Sequence, residues 1–296
     1  MIPPEGGVLL VDKPVGPTSH DIVGLARRGL KTRRVGHTGT LDPFASGLLV
    51  LCVGPATRLS SWLTHLDKVY EATVHFGVET TTLDPEGEVT ARDEPGAQRL
   101  AEAQVAEILV AFEGKQQQVP PAYSAKKISG EAAHRRVRRG EVVELPPVPI
   151  EVVALQLLAW QAPRLEVRVH CSSGTYIRAL ARDFGKAAGC GAHLEQLRRL
   201  RVGAFAVGDA VQVDDLSTVS AGDWVSPLDA LTRTGMAAIE IDDADVVRIT
   251  QGQAIEVAGV APSADAWVAL GQRGQLVAIA QPDGPLLKPR KVFTAP

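Results

Sequence analysis

The 296-residue sequence has only three cysteines, Cys52, Cys171 and Cys190, and they form no Cys-x-x-Cys pair. This spacing excludes a disulfide framework and a cysteine-rich zinc site. The seven histidines have no His-Glu-x-x-His or comparable ligand spacing, so we expect no metal. The sequence also lacks a Gly-x-x-x-x-Gly-Lys-Ser/Thr loop, which argues against ATP chemistry.

Long apolar runs and a strong net charge are missing as well. No apolar run approaches the roughly 18 residues of a membrane span, and the N-terminal residues lack a basic stretch followed by an apolar one. We therefore expect no membrane association and a cytoplasmic location. Lysine and arginine total 31 against 34 aspartates and glutamates, a formal charge of −3. No overall basic field thus indicates a nucleic-acid partner.

This balance hides three arginine-rich segments, residues 27–34, 135–139 and 198–201. None of them contains an acidic residue that would support an exposed helix face at i+4 spacing. Each segment by itself is typical of a solvated surface. Three in one acidic chain favour a polyanionic partner, because phosphate neutralisation by lysine and arginine drives nucleic-acid affinity.

Short apolar runs broken by glycine and proline predict a sheet-rich α+β protein. Strands are predicted at residues 8–11, 48–53, 69–76 and 165–171. Alternation within 69–76 puts Tyr70 on the apolar face, where a tyrosine is more often a core residue than a ligand contact. Helices are predicted over 98–112 and after Thr175, which is expected to cap the second one.

The length corresponds to two domains at about 150 residues each. We expect a larger domain at 1–230, with an inserted segment at about 85–150, and a small β-rich domain at 236–296. In the small domain, Asp242 or Asp243 is predicted to cap a helix through Ile249. Residues 267–270 and 275–280 are predicted to form a hairpin.

Two segments carry candidate chemistry. The first, residues 36–43, has the sequence GHTGTLDP. Its two glycines allow unusual backbone angles, and its proline favours an extended conformation at Asp42, so the loop can present this carboxylate to a substrate. The alternative is a tight turn capped by Asp42. In residues 171–178, CSSGTYIR, Arg178 falls in the first turn of a predicted helix, where a cation costs about 0.3–1 kcal/mol. We expect a compensating anion, either Asp42 or a bound phosphate; a solvent-facing arginine is the alternative.

Over residues 6–205, ordered motifs resemble the bacterial tRNA pseudouridine-55 synthases, the TruB family. They are DKPxGxTSHD at 12–21, GHTGTLDP at 36–43, YEA at 70–72 with Gly77 and Asp84, PxYSAxK at 121–127, GTYIR at 174–178 and LRRL at 197–200. The tail, with QGQ at 251–253 and LKPRKVF at 287–293, resembles a PUA RNA-binding module. The chain has TTTLD at 80–84 where the family has TDTxD, which leaves the role of Asp84 open.

The resemblance implies a mixed, mainly antiparallel sheet in a catalytic domain that isomerises the T-loop uridine of tRNA, position 55, to pseudouridine. It implies that Asp42 is catalytic and that no cofactor or metal takes part. The implied partner is the T-arm of tRNA, bound by a monomer. The substrate-binding residues it implies are His37, Tyr70, Tyr176, Arg178 and Leu197, with Asp84 and Lys13 in supporting roles.

In this interpretation Tyr70 stacks on a base, Tyr176 contacts the flipped uridine and Arg178 orients Asp42. Leu197 completes an apolar wall, and His37 occupies space vacated in the RNA loop. The inserted segment grips RNA, and the arginine-rich segments contact phosphates.

Three alternatives stay open at this point. One is the archaeal and eukaryotic guide-RNA-dependent relative, against which the segment 84–149 favours the stand-alone bacterial type. Another is a non-catalytic protein that binds or folds tRNA. The third is a nucleotide-dependent phosphotransferase.

Overall fold

The computed structural model describes residues 2–124, 127–128, 131–132, 136, 139, 141, 143, 145–256, 263 and 265–293. The chain divides into two compact units, which we call the first and the second unit. The first unit comprises Met1–Leu41, Leu48–Leu66 and Gly203–Pro296, and the second comprises Asp42–Gly47 and Asp67–Val202.

The described helices are α1 Ser19–Gly29, α2 Ser60–Thr64, α3 Glu94–Gln98, α4 Glu102–Ala111, α5 Ile177–Ala188, α6 Pro227–Thr232 and α7 Asp243–Thr250. Single 3-10 turns occupy Gly54–Leu59, Val207–Asp209, Val213–Ser217 and Ala221–Asp223. Within the described part of the chain, no helix is both long enough and apolar enough to cross a lipid bilayer.

The first strands in the chain are β1 Gly7–Lys13, β2 Val35–His37, β3 Ser46–Val53, β4 Lys68–Phe76, β5 Val78–Thr80, β6 Val89–Arg92, β7 Gly114–Gln118, β8 Lys127–Ile128, β9 Glu131–Ala132 and β10 Val148–Gln161. The later ones are β11 Arg164–Cys171, β12 Ala192–Val202, β13 Phe205–Ala206, β14 Val211–Gln212, β15 Trp224–Val225, β16 Ala237–Glu240, β17 Ile255–Glu256, β18 Val268–Gln272, β19 Gln275–Asp283 and β20 Leu286–Val292.

The second unit is built on an antiparallel sheet in the order β12-β4-β11-β10-β7. Its strand β4, which lies between β12 and β11, buries every second residue, and the buried face includes Tyr70, Ala72 and Phe76. Helix α5 packs on this unit, and its Phe184 meets Phe112 edge to face at 5.0 Å between ring centroids. The first two residues of β3 run parallel to β12.

The first unit contains two groups of strands with separate apolar cores. Strands β1 and β3 pack with α1 through side chains such as Leu9, Ile22 and Leu51. A five-stranded sheet, ordered β16-β18-β19-β20-β17, packs with α7 around Ile249 and Val277. Because both cores are continuous sets of buried aliphatic side chains, each provides the hydrophobic burial that stabilises a small sheet.

The predicted α+β class with a mixed, mainly antiparallel sheet is confirmed, because most pairings between the described strands are antiparallel and a few are parallel, such as β1 with β14, β3 with β12 and β16 with β18. The four predicted strands correspond to β1, β3, β4 and β11. The predicted hairpin corresponds to β18 and β19, and Asp242 caps α7 by accepting from the amide of Asp245.

The helix predicted over 98–112 is wrong in its extent. Helix α3 ends at Gln98, and α4 begins only at Glu102, after an extended Ala101. Val105 and Leu109 are its buried residues, and Ala101, which lies inside the predicted range, is exposed. A side chain that lies outside the helix cannot share its apolar stripe.

The five-stranded sheet lies within the expected small domain, 236–296. This segment belongs to the first unit together with residues 1–41, 48–66 and 203–235. The boundary, the inserted segment at 85–150 and the PUA-like nature of the tail stay predictions. Arg135 and Arg138 lie outside the described residues.

Candidate active site

The loop that carries Asp42 is fixed on both sides of this residue. The buried Ser19 hydroxyl donates to the carbonyl of Leu41 at 2.9 Å and accepts from the Leu41 amide at 2.7 Å. The carbonyl of Asp42 accepts from the amide of Ala45 at 3.1 Å. The Asp42 side chain is 34% exposed, so its carboxylate is held in place and still accessible to a substrate.

Arg178 pairs with that carboxylate through two nitrogens. Its Nε lies 2.9 Å from Oδ2 of Asp42, and its Nη2 lies 3.3 Å from Oδ1. Nη1 donates to Oδ2 of Asp84 at 3.0 Å and to the Thr82 carbonyl at 2.9 Å, and Nη2 also donates to the Tyr123 carbonyl at 2.9 Å. These five contacts match the five N–H groups of a guanidinium, so the guanidinium of Arg178 is held in one orientation.

The position of Arg178 follows from the start of α5. Tyr176 precedes the helix in an extended conformation, and Ile177 is its first residue, so Arg178 lies in the first turn. The predicted need for an anion is confirmed, because two carboxylates face this cation. The predicted cap is wrong by one residue: Tyr176, not Thr175, is the N-cap.

Asp84 is turned toward Arg178 by a tight turn after β5. Leu83 adopts a left-handed conformation with φ of 64°, which costs a non-glycine residue about 1–2 kcal/mol. The hydroxyl of Thr82 and the amide of Glu86 donate to Oδ1 of Asp84. Thr81, at the position of the family's other acid, accepts from the amide of Glu88 instead. The missing acid therefore does not disturb the pairing of Asp84 with Arg178.

Tyr70 and Leu197 lie on one face of the sheet in the second unit. Cross-strand register pairs Tyr70 with Arg199 and Ala72 with Leu197, and paired residues point to the same face. Tyr70 and Leu197 are both buried. Burial raises the pKa of the Tyr70 hydroxyl, and the nearby positive charge and hydrogen bond of Arg199 oppose this effect.

Arg199 is only 2% exposed, which contradicts the expectation that all of 198–201 contacts phosphates. Strand β3 approaches its backbone closely at Gly47. A Cβ at Gly47 would lie 2.2 Å from the Arg199 carbonyl oxygen, and Gly47 has φ of 102°. Only glycine fits at this position. The close approach brings the strand that follows the Asp42 loop against β12, which carries Leu197.

Tyr176 is half-buried, and its backbone and side chain are both engaged. Its amide donates to the side-chain oxygen of Gln118 at 2.9 Å, and its carbonyl accepts from the same side chain at 3.1 Å. Burial raises the pKa of its hydroxyl, while a hydrogen bond from Ser124 and the charge of Arg178 oppose the shift. The charge of Asp42 acts on the hydroxyls of both Tyr70 and Tyr176, so both tyrosines lie near the carboxylate.

The structure thus brings Asp42, Tyr70, Tyr176, Arg178 and Asp84 together within the second unit. Leu197 lies on the same face of its sheet as Tyr70.

His37 and Lys13 belong to the first unit. His37 ends β2 opposite Leu51 of β3. Lys13 is fully buried, and its ammonium donates to the carbonyls of Pro14 and Pro17 at 2.9 and 2.8 Å. Lys13 therefore shapes the turn after β1, and its supporting role and the role of His37 stay predictions.

The arginine-rich segments differ in how their charges are used. In residues 27–34 all five cations are exposed, and within the described part of the chain none lies within ion-pair distance of a carboxylate. Arg136 and Arg139 both pair with Glu141, at 2.6 and 2.8 Å. Arg201 lies 3.7 Å from Asp67. We call Arg27, Arg28, Lys31, Arg33 and Arg34 the basic patch.

Sequence reasoning missed two buried polar residues near the site, Arg199 and Gln118. Arg199 could have been found from strand alternation, because it lies two residues after the inward-facing Leu197. Gln118 gives no such signal, since its partner Tyr176 lies 58 residues further along the chain. Among the described residues, no group of three or more metal-ligating side chains is found.

The sequence of the chain is similar to two protein-family models and to several named enzymes. A model of the TruB family pseudouridylate synthase N-terminal domain matches residues 27–177, and a model of the tRNA pseudouridylate synthase B C-terminal domain matches 178–231. The chain is 45% identical over 259 residues to tRNA pseudouridine synthase B of Burkholderia lata, which covers 86% of this chain and 79% of the relative. It is 42% identical over 286 residues to tRNA pseudouridine synthase B of Leifsonia xyli subsp. xyli, covering 95% and 91%.

Solved structures agree at the level of the fold. A Cbf5-Nop10-Gar1 complex contains a chain with a TM-score of 0.74 and 25% identity, covering all of this chain and 90% of that one. An H/ACA RNP bound to a substrate RNA gives a TM-score of 0.74 at 24% identity, covering 98% and 86%.

The family models and the curated relatives carry the name of one class of enzyme, the pseudouridylate synthases. The chain belongs to the TruB family of these enzymes.

Proposed function

We propose that this chain converts the T-loop uridine of tRNA, position 55, to pseudouridine. The observation that carries the proposal is the accessible Asp42 carboxylate, which Arg178 holds in a fixed orientation beside two tyrosines. The names of the relatives, tRNA pseudouridine synthase B, support tRNA as the substrate.

The reaction detaches uracil from C1′ of the ribose and reattaches it through C5. Positive charge develops at C1′ as the C–N bond breaks, as in glycosyl transfer, so a carboxylate close to that carbon stabilises the transition state. Asp42 serves this role by attacking C1′ to form an ester or by removing the C2′ proton to give a glycal. Neither route needs redox chemistry or a nucleotide, which fits the expectation that the enzyme uses no cofactor or metal.

The target uridine must leave the stacked RNA before its glycosidic bond can be reached, at a cost of a few kcal/mol. Stacking on an aromatic ring returns about 1–3 kcal/mol per base. In the proposal Tyr70 stacks on the flipped base, Tyr176 contacts the uridine, and Leu197 closes the apolar wall. His37, from the first unit, fills the space that the base vacates in the RNA loop.

The basic patch is the arginine-rich segment best suited to bind the T-arm backbone. Its five cations are exposed, whereas Arg136 and Arg139 are paired with Glu141 and Arg199 is buried. A cation already paired with a carboxylate gains less from a phosphate. We include in the proposal that the enzyme acts as a monomer in the cytoplasm, where its tRNA substrate is found.

The first alternative is a guide-RNA-dependent enzyme; one similar solved structure is an H/ACA RNP bound to a substrate RNA. The identity of 40–45% to curated tRNA pseudouridine synthases B favours the stand-alone enzyme. Incubation of the chain alone with an unmodified tRNA transcript separates the two, because only the stand-alone enzyme forms pseudouridine without a guide RNA and accessory proteins.

The second alternative is a tRNA-binding or tRNA-folding protein without catalysis. We expect the substitution Asp42→Asn to abolish pseudouridine formation while tRNA affinity stays nearly unchanged, since the amide keeps the shape but not the charge of the carboxylate. The measurement is pseudouridine mapping in a tRNA transcript together with the Kd for tRNA.

Asp183 offers a matched control for that experiment. It lies on α5 and pairs with Arg182 at 2.8 Å, so Asp183→Asn, like Asp42→Asn, replaces a carboxylate that is paired with an arginine. Full activity is expected for the control. Full turnover by Asp42→Asn, or a wild-type chain that binds tRNA without modifying it, would refute the catalytic assignment.

A further inference from the structure

Gln118 is a buried polar residue that makes a reciprocal pair of hydrogen bonds with the backbone of Tyr176. It ends strand β7 and is only 2% exposed. Its side-chain oxygen accepts from the Tyr176 amide at 2.9 Å, and its side-chain nitrogen donates to the Tyr176 carbonyl at 3.1 Å. A primary amide thus pairs with one backbone residue as a neighbouring strand would.

The segment that follows Gln118 continues along the start of α5. The carbonyl of Val119 accepts from Arg182 at 3.1 Å, and the carbonyl of Tyr123 accepts from Arg178 at 2.9 Å. The buried Ser124 also acts on the Tyr176 hydroxyl and opposes the rise in its pKa that burial causes. We call residues 118–124 the α5 brace.

Within the α5 brace, Gln118 is the contact that acts on the backbone of Tyr176. Tyr176 is the N-cap of α5, and no side chain caps the helix there. The orientation of the first turn, and with it the position of Arg178, therefore depends on how this extended residue is held. Arg178 in turn holds the carboxylate of Asp42.

We propose that Gln118 is a positioning residue for pseudouridine formation: it fixes the N-cap of α5 so that Tyr176 and Arg178 are aligned with Asp42. The inference rests on the proposed function. Gln118 touches neither the substrate nor Asp42 in this scheme and acts through Tyr176. Its place requires one donor and one acceptor on the same planar group, which glutamine supplies and an ionised glutamate does not.

The first test compares Gln118→Ala with Gln117→Ala. Gln117 is the exposed neighbour on the same strand, so the control changes the same residue type at the adjacent position. We expect Gln118→Ala to lower the single-turnover rate at saturating tRNA by about 10- to 100-fold, the cost of a small misplacement of catalytic groups. The Kd for tRNA should be unchanged, because phosphate contacts dominate it, and Gln117→Ala should match the wild type in both.

The second test uses Gln118→Glu, which keeps the size of the side chain. An ionised carboxylate still accepts from the Tyr176 amide but cannot donate to its carbonyl, whereas the protonated acid does both. Burial raises the pKa of a carboxyl group, so protonation falls within an accessible range of pH. The rate of Gln118→Glu relative to the wild type, measured at each pH, should therefore rise as the pH falls, and Gln118→Ala should show no such recovery.

A purely structural role gives a different result. It would lower the melting temperature of Gln118→Ala while the folded protein keeps the wild-type rate, and that outcome would overturn the inference. So would a ratio for Gln118→Glu that does not change with pH. A wild-type chain that forms no pseudouridine would instead refute the proposed function, so the two failures are distinguishable.

Discussion

Two groups of cations, one in each unit, differ in their exposure to solvent. In the second unit Arg178, Arg199 and Lys68 are all less than 10% exposed. In the first unit the basic patch is exposed at every cation, and its residues lie at and after the end of α1, where cations are favoured by the helix dipole. Arg199 and the basic patch look alike in the sequence, because both lie in arginine-rich segments.

The difference is that a buried cation must have partners, whereas an exposed one remains available. Removing a charge from water costs several kcal/mol unless oxygens replace the lost hydration, and Arg178 has five such oxygens. The basic patch keeps its hydration and can exchange it for phosphate oxygens. We therefore expect changes to the buried cations to alter rate and stability, and changes to the patch to alter tRNA affinity.

The largest effect should come from Arg178→Met. The substitution leaves Asp84 buried without its partner, which costs about 3–5 kcal/mol of the free energy of unfolding. It also frees the carboxylate of Asp42, and loss of such a fixed contact lowers turnover by about 100- to 1,000-fold. The checks are chemical denaturation and single-turnover pseudouridine formation.

Two further variants keep that test decisive if Arg178→Met does not fold. Arg178→Lys retains the charge but not the fork that reaches two carboxylates, so we expect it to fold and still lose most activity. Lys186→Met removes an exposed cation of the same helix and should change the rate little. Equal rates for Arg178→Lys and the wild type would mean that the fork does not position Asp42.

Lys68 should give the next largest effect, on stability. Burial, with the nearby charge of Arg199, lowers the pKa of Lys68 from 10.5 to about 8. Between these values the unfolded chain binds a proton at this lysine that the folded chain has released, so the contribution of Lys68 to the free energy of unfolding rises with pH, by at most about 3 kcal/mol. Below pH 8 both states are protonated, and the folded state carries the full penalty.

The variant Lys68→Met should lack this contribution. The free energy of unfolding of the wild type minus that of the variant should therefore rise between pH 8 and 10.5, measured by chemical denaturation across that range. Lys186→Met, at an exposed lysine of α5, should keep the wild-type profile. An unchanged rise in Lys68→Met would assign the pH dependence to another group.

The smallest single effect should come from the basic patch. Arg28→Gln removes one exposed cation, and the slope of log Kd for tRNA against log salt should fall by about 0.7–0.9 if it contacts one phosphate. The rate at saturating tRNA should not change. Arg164→Gln is the control, since Arg164 is paired with Glu195 through two nitrogens at 2.7 and 3.0 Å. Identical salt slopes for both variants would show that the basic patch does not contact RNA phosphates.

The sequence predicted those features that depend on local periodicity. Alternation placed Tyr70 on the buried face of β4, and the dipole argument predicted an anion for Arg178 before any contact was known. It did not distinguish a core tyrosine from a tyrosine near a carboxylate, because burial alone is the same in both cases. Resemblance to the family supplied that assignment, which stays a prediction until binding is measured.

The features that escaped prediction depend on register and on distant residues. Arg199 faces Tyr70 because of the pairing of β12 with β4, and Gln118 meets Tyr176 across 58 residues. Arg178 also pairs with Asp84, which lies 94 residues away and was not predicted as its partner. Local composition contains no information on such pairings. All three arginine-rich segments were therefore predicted to contact phosphates.

The way Arg178 divides its contacts has a consequence for the charge states of the proposed reaction. Two of its five oxygens belong to Asp42, and the other three belong to Asp84, Thr82 and Tyr123. With Asp42 ionised, the two carboxylates and one guanidinium sum to −1. When Asp42 becomes an ester or accepts a proton, the sum is zero, because Asp84 remains as the counterion. In the proposed reaction the cluster therefore alternates between −1 and neutral, and Arg178 is never left without a counterion beside the positive charge at C1′.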